Sequence, residues 1–530
     1  MHFKEQKQFY FAFFVIALGG LLFYLTKPYL PSKMFVEHNS SAPIVVDRLM
    51  IKAMKDLDLV TDTITDTKDS NQIIKPITKP INSINPLSSL PSLETVKNTS
   101  YQNLINTADF DFNLEHPTDS SSIVTIPKTM TLKSYTGIQH LTRFFEKLYE
   151  LDQSKEGKVR IAYYGDSMID GDLIVQDFRS ALQSHFGGRG VGFVPIESES
   201  ARTRYSIKHY TQGNWRQENF MKGRADSIPY GINGGVFFPA DSTARVTYLA
   251  SGIKNAYRLN SPRLFYGTGN ENAFLKVTEE KDSSATFIAL NGSLSMNSTT
   301  ISTNNLRKIE LDFSNAQNTP IYGVDFSNHT GIAVDGFSNR GNSGLPLSLL
   351  DISQMQRFDK NFSYDLIILQ FGANVLAIKS KNYNWYKSRM TKVVTHLKQA
   401  FPEADILILG TADKGTKFQG AVKTDSSVVK LLRSQQDYAL KTESSFISLF
   451  HLMGGVNSMP IWTDQKLANN DYTHFSPQGS RKIGRMIYGE LMDGYSAFAK
   501  ARTQQIALQQ KTDSATIKTV HDSIPNLRKP

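Results

Sequence analysis

The sequence predicts an α/β protein, a doubly wound parallel sheet covered by helices and interrupted by a β-rich insert. Three observations carry this. YDLIILQ (364–370) and ADILILG (404–410) are unbroken apolar runs, the pattern of parallel strands buried on both faces. VRIAYY (159–164) is a third strand; it stops at Gly165-Asp166-Ser167, and a helical pattern follows in which Ile174, Phe178 and Leu182 recur every four residues. From Pro195 to Asn328 the texture changes to short runs such as GGVFFP, ARVTYLA, ATFIAL and KIELDF, separated by Gly, Asn, Ser and Asp, which predicts an inserted β-sandwich.

Taken in chain order, residues 1–27 hold the uncharged apolar segment Phe9 to Leu25, preceded by Lys4 and Lys7 and flanked by Tyr10 and Tyr24. It is long enough to span a bilayer, and the positive-inside rule places the short N-terminus in the cytoplasm. Thr26-Lys27-Pro28-Tyr29 lacks the small-x-small pattern of a cleavage site, so the segment reads as an uncleaved transmembrane anchor. Residues 28–130, rich in Ser, Thr, Asn, Asp, Lys and Pro, read as a largely disordered polar tether, with DRLMIKAMKDLDLV (47–60) as a short amphipathic helix within it. The catalytic sheet then occupies 131–195 and 330–499, the insert 196–329, and a polar tail 500–530.

Composition narrows the chemistry. A chain of 530 residues with 40% hydrophobic and 11% aromatic residues can fill more than one core, which excludes wholesale disorder. No cysteine is present, so disulfide scaffolds, thiolate zinc sites, cysteine nucleophiles and N-terminal lipidated cysteines are all excluded. The net charge of +10 is spread along the chain and identifies no partner by itself; with the domain anchored outside the cytoplasm, it suits anionic envelope polymers or lipid headgroups better than nucleic acid.

Ser167 stands at the carboxyl end of a strand, where open α/β sheets bind ligands, with the amides of the following helix expected to point toward it. Phe371-Gly372-Ala373-Asn374 ends another strand and brings a carboxamide to the same rim. Near the C-terminus, Asp471 and His474 lie just before a helix whose start is marked by Ser476 and Pro477. Three residues apart in a turn, a carboxylate can fix the tautomer of an imidazole and leave the other nitrogen to take a proton from a serine. Each feature has an ordinary reading, as a helix cap, a tied turn or a chance pairing. Together, in this order, they describe a serine nucleophile, its base and an amide donor.

These residues resemble the SGNH/GDSL hydrolases. Gly165-Asp166-Ser167 resembles the nucleophile block, Gly372-Ala373-Asn374 the Gly-x-Asn block and Asp471-x-x-His474 the terminal block; Ser338-Asn339-Arg340-Gly341-Asn342-Ser343-Gly344 is similar to the block that contributes a glycine amide. Met168 stands where many members have Leu. The resemblance implies a flavodoxin-like three-layer α/β/α sheet, Ser167 as nucleophile, His474 as base and Asp471 as its orienter. It implies an oxyanion hole from the amides of Ser167 and Gly341 and the side chain of Asn374, with Gly344 as the alternative glycine, and no metal or cofactor.

Gly187-Gly188-Arg189-Gly190-Val191-Gly192-Phe193 and the insert are similar to the bacterial branch acting on O-acetylated peptidoglycan and related glycans. Trp215, Tyr230, Tyr248, Tyr257 and Tyr266 are candidate sugar-stacking residues of the insert, although core packing is the commoner fate of such side chains. The expectation is a membrane-anchored esterase of envelope polysaccharide, single-pass in the bacterial inner membrane, with its catalytic domain in the periplasm or cell exterior. The rivals are an O-acetyltransferase working with a membrane-bound O-acyltransferase, a metal-dependent phosphoesterase using Asp166, Asp170, Asp172 and His474, and a non-catalytic glycan-binding scaffold.

Overall fold

The computed structural model describes residues 47–53, 135–223, 228–280, 285–378, 380 and 382–523. The expected anchor (1–27), and the expected tether (28–130) apart from 47–53, lie outside them. Among the described residues no helix is long and apolar enough to cross a membrane.

Five parallel strands form the central sheet: β1 (Lys158–Gly165), β2 (Gly331–Ser338), β3 (Tyr364–Gln370), β4 (Asp405–Gly410) and β5 (Ser445–Ser448), in the order β2-β1-β3-β4-β5. This is the flavodoxin-like order. Alternate residues of each strand feed opposite faces. Val159, Ile161 and Tyr163, with Leu366, Ile368, Leu407 and Leu409, pack against α1 (Thr142–Ser154), α2 (Leu173–Phe186) and the first half of α6 (Pro477–Ser523). Ala162, Tyr164, Ile367, Leu369, Ile406 and Ile408 pack against α3 (Ile352–Phe362), α4 (Asn384–Ala400) and α5 (Ser426–Lys441). Each fully buried Leu or Ile stabilises the fold by ~1.5–3 kcal/mol, so the two faces of one short strand outweigh any propensity effect.

The topology fixes where a site can lie. From β1 the chain leaves for the insert, returns as β2 on one side of β1, and then crosses to β3 on the other. The crevice at such a switch point opens at the carboxyl ends of the strands. Ser167 follows β1, Asn339–Gly344 follow β2, and Gly372–Asn374 follow β3.

The insert is built from two antiparallel sheets, one of six strands and one of five. Val246, Leu275, Ile309 and Leu311 of the five-stranded sheet meet Leu264 and Val324 of the other in a shared apolar core. The outer face of the six-stranded sheet is also buried, against α3: the rings of Phe265 and Phe362 lie 4.6 Å apart and those of Tyr322 and Phe358 5.1 Å apart. Arg160 of β1, 1% exposed, binds the carboxylates of Asp335 on β2 and Asp325 of the insert at 2.7–3.0 Å and sits over the Phe362 ring. Removing one partner of such a buried pair costs about 3–5 kcal/mol, so the insert is locked to the sheet rather than merely connected to it.

Three details differ from the sequence expectation. The helix after β1 starts at Leu173, as its pattern indicates, but its amides are not next to Ser167: a 3-10 segment, Ser167–Asp172, kinked at Asp170 and Gly171, intervenes. Tyr230, Tyr248 and Tyr266 are core residues, with the hydroxyls of Tyr230 and Tyr248 donating to the carbonyls of Gly223 and Pro195, so they offer no face to a sugar; Tyr257 is exposed. The polar stretch from 500 continues α6 to Ser523, because it holds no glycine or proline and is rich in the helix formers Ala, Gln and Lys.

Candidate active site

Four loops from distant parts of the sequence meet around Ser167, two of them joined into one element. The first is the turn after β1. Gly165 leaves room there: a Cβ would lie 2.8 Å from the end of the Ile169 side chain and 3.1 Å from the Gln370 carbonyl, so a larger residue would have to displace both. The fully buried Asp166 accepts from the Met168 amide at 2.9 Å and shapes the turn that presents the Ser167 hydroxyl. Burial raises the Asp166 carboxyl to about 6.

The second loop carries His474 and Asp471. Ser167 Oγ lies 3.0 Å from His474 Nε2, and His474 Nδ1 lies 2.8 Å from Asp471 Oδ2. The other oxygen, Asp471 Oδ1, accepts from the amides of Thr473 and His474, both at 2.9 Å, so the carboxylate is fixed by its own turn. Burial opposes ionisation of Asp471, but the bonds from His474 and the two amides outweigh it and hold the carboxyl below its usual range. The hydrogen bond that His474 donates to Asp471 is the main reason that His474 titrates above the usual imidazole value, against a smaller opposing effect of burial. With Nδ1 as donor to the carboxylate, Nε2 is left to accept from the serine hydroxyl. The helix that follows begins as the sequence indicates, with Ser476 Oγ accepting from the Gly479 amide at 3.2 Å and Pro477 in the first turn.

The third element joins the loops after β2 and β3. Asn374, 7% exposed, donates through Nδ2 to the Asn342 carbonyl at 3.1 Å, tying the carboxamide to the glycine loop. Gly372 has φ +146, and a Cβ there would meet the Thr411 side chain at 2.8 Å, so glycine is needed for the close approach of β3 and β4. The two candidate glycines separate. The Gly344 amide is committed to Asn342 Oδ1 at 2.8 Å, whereas the buried Gly341 amide has no hydrogen-bond acceptor among the described residues. Of the two, only the Gly341 amide is left uncommitted among the described residues.

The acidic residues of the metal-dependent alternative are engaged otherwise. Asp172 is buried between Arg179 and Arg204, and Asp170 pairs with Arg340. Among the described residues no group of three or more acidic, histidine or cysteine side chains is arranged to hold a metal ion. A shallow cleft with Met168, Ala373, Leu376, Ala412, Leu449 and Thr473 in its walls runs beside the nucleophile turn and the His474 loop.

Neither a protein-family model nor a curated protein matches the sequence. Solved structures do. One described as a peptidoglycan O-acetylesterase in action is 20% identical over 67% of this chain and 96% of that one, with a TM-score of 0.56. An acetyl xylan esterase (15% identical, 30% of this chain and 81% of that one) and a family two carbohydrate esterase from Cellvibrio japonicus (10% identical, 55% and 99%) align with TM-scores of 0.24, too low to carry an argument. The first likeness establishes a shared fold, and it agrees with the family resemblance drawn from the four sequence blocks.

Proposed function

We propose that this chain, with the fold of an SGNH hydrolase, is a serine esterase that removes acyl groups, O-acetyl foremost, from cell-envelope polysaccharide. One observation carries the reading: a hydroxyl, an imidazole and a carboxylate are linked at 3.0 and 2.8 Å at the rim of a switch-point crevice. Ser167 Oγ attacks the ester carbonyl while His474 Nε2 takes its proton. The tetrahedral oxyanion accepts from the amides of Ser167 and Gly341 and from Asn374 Nδ2, each such donor contributing about 2.7–4 kcal/mol to the transition state. Collapse expels the sugar hydroxyl with the proton returned from His474 and leaves acyl-Ser167. Water, deprotonated by the same imidazole, then releases the carboxylic acid and regenerates the serine.

The glycan substrate is supported by the name of the neighbouring esterase and by the insert locked beside the catalytic sheet. Water as the acceptor is supported by exposure: the side chains of His474 and Asp471 are 41% and 46% exposed, which leaves an acyl-enzyme open to solvent. The apolar segment Phe9 to Leu25 supports a membrane anchor holding the domain on the outer side.

The test is acetate release from O-acetylated peptidoglycan and acetylated oligosaccharides by the full chain. Ser167→Ala is expected to remain folded, its side chain being only half-buried, and to lose about 10⁴-fold or more in kcat. Acetyl transfer to an added oligosaccharide exceeding acetate release would make the protein a transferase; no turnover of any acyl ester by the wild type would leave a scaffold.

A further inference from the structure

The loop Asn339–Gly344 supplies the Gly341 amide and, through the Asn342 carbonyl, orients Asn374. Part of what holds this loop comes from the far end of the chain. Asp47, 296 residues before Ser343, accepts from the Ser343 amide through Oδ2 at 2.8 Å. Its own amide donates to the Gly341 carbonyl at 3.3 Å. These two bonds bracket Asn342. The second oxygen, Oδ1, accepts from the Met50 amide at 2.7 Å and caps the helical turn 48–53. Met50 and Ala53 on that turn are fully buried, in the same apolar cluster as Phe220, Leu345 and Leu347. The segment is thus pinned by its apolar side chains and grips the loop with its carboxylate.

The choice of a carboxylate is informative. Asp47 is 1% exposed and has no ion-pair partner among the described residues. An unpaired buried carboxylate is costly unless hydrogen bonds to the ionised form compensate, and two of its compensating donors are the amides of Ser343 and Met50. A turn could be capped by a neutral Ser or Asn at less cost. What a carboxylate adds is two acceptor oxygens that can hold the cap and the distant loop together.

We infer that Asp47 is a positioning residue for the oxyanion hole, so that docking of segment 47–53 against the glycine loop sets how well the site stabilises its transition state. This rests on the esterase reading, since it needs Gly341 and Asn374 to act as donors. It also means that a fragment starting at the catalytic sheet, near residue 131, would lack part of what shapes its own active site.

The test uses the full chain and acetate release from an acetylated oligosaccharide, with kcat and KM measured separately and thermal stability recorded for each variant. Asp47→Ala is expected to lower kcat about 10-fold or more, short of the ~10²–10³-fold expected for loss of a donor itself. KM and the acidic limb of the pH profile stay where they are, because His474 is untouched. Asp47→Asn, which keeps one acceptor, falls between Asp47→Ala and wild type. Met50→Ala, which loosens the segment without touching the loop, reproduces the loss in kcat. Asp359→Asn, which removes a half-buried carboxylate bonded to the Tyr364 amide at the opposite end of the sheet, is the control for lost stability alone. An active wild type whose Asp47→Ala and Met50→Ala variants keep kcat within about twofold, whatever their melting temperature, overturns the inference. A wild type that turns over no acyl ester sinks the esterase reading and this inference with it.

Discussion

The two loops that complete the site on either side of Ser167 are held in opposite ways. The loop that carries Asp471 and His474 is tied largely to itself: Asp471 Oδ1 binds amides two and three residues on, the Asn469 amide donates to the His474 carbonyl at 2.8 Å, and the Tyr472 amide donates to the Asn469 carbonyl at 3.0 Å. The loop Asn339–Gly344 has two bonds of its own, from the Gly344 amide to Asn342 Oδ1 and from the Asn342 amide to the Asn339 carbonyl, but is held mostly from outside. Asn219 of the insert donates to Asn339 Oδ1 at 2.9 Å, Asp47 takes Ser343 from the N-terminal side, and the Tyr386 hydroxyl on α4 donates to the Ser343 carbonyl at 2.7 Å. The proton-transfer half of the site is therefore a local structure, half exposed, and the charge-stabilising half is a product of tertiary packing. Substitutions in the first should change chemistry with little effect elsewhere. Substitutions around the second should change the rate through geometry.

Asp471→Asn is the sharpest probe of the local half. It removes the anion that orients His474 and raises its titration, and the expected loss in kcat is on the order of 10²–10⁴-fold. The sign of the pH effect follows. His474 is a base only when neutral, so activity falls as pH drops through its pKa; taking away the carboxylate lowers that pKa and moves the acidic limb of kcat/KM to lower pH. A limb that stays in place would mean that Asp471 does not act on His474 in the working enzyme. Asn374→Ala probes the other half. It deletes an oxyanion donor and the bond to the Asn342 carbonyl, for an expected loss of about 10²–10³-fold in kcat, with the limb unmoved because no charge near the imidazole changes. If both variants shift the limb, the division into halves is wrong.

The same division decides what could be read from sequence. The Asp-x-x-His pair, the cap at Ser476 and the strand YDLIILQ were legible because their signals are local, and β3 has the bounds that its apolar run indicates. β2 was not. Its GIAVDGFS pattern is broken by Asp335, whose burial makes sense only once Arg160, distant in sequence, is seen to bind it at 2.7 Å. β5 is four residues long at the edge of the sheet, too short for periodicity to mark. The turn at Ser167 and the helical pattern from Asp172 were legible, but the kinked 3-10 segment between them was not, because Asp170 and Asp172 in it answer Arg340, Arg179 and Arg204, all outside the turn. Asp47 showed only as the start of a short amphipathic helix. Nothing in its neighbourhood announces a partner 296 residues away.

The smallest expected effect separates gripping from catalysis most cleanly. Asn219 and Asn339 meet side chain to side chain, and Asn339 Nδ2 donates in turn to the Asn233 carbonyl at 3.1 Å, so the insert holds the start of the glycine loop at two points. Asn219→Ala removes one of these while leaving every reacting group in place. A neutral hydrogen bond of this kind contributes about 0.5–1.5 kcal/mol, and if its loss is felt as loosened geometry at Gly341 then kcat should fall by roughly two- to tenfold. KM for a small acetyl ester should not change, because such a substrate reaches only the Ser167 rim. A fall in kcat shared equally by the small ester and a polysaccharide substrate would place the effect in the oxyanion loop. A loss confined to the polysaccharide would instead make this face of the insert a glycan contact, and the loop would then owe its position to Asp47 and Tyr386.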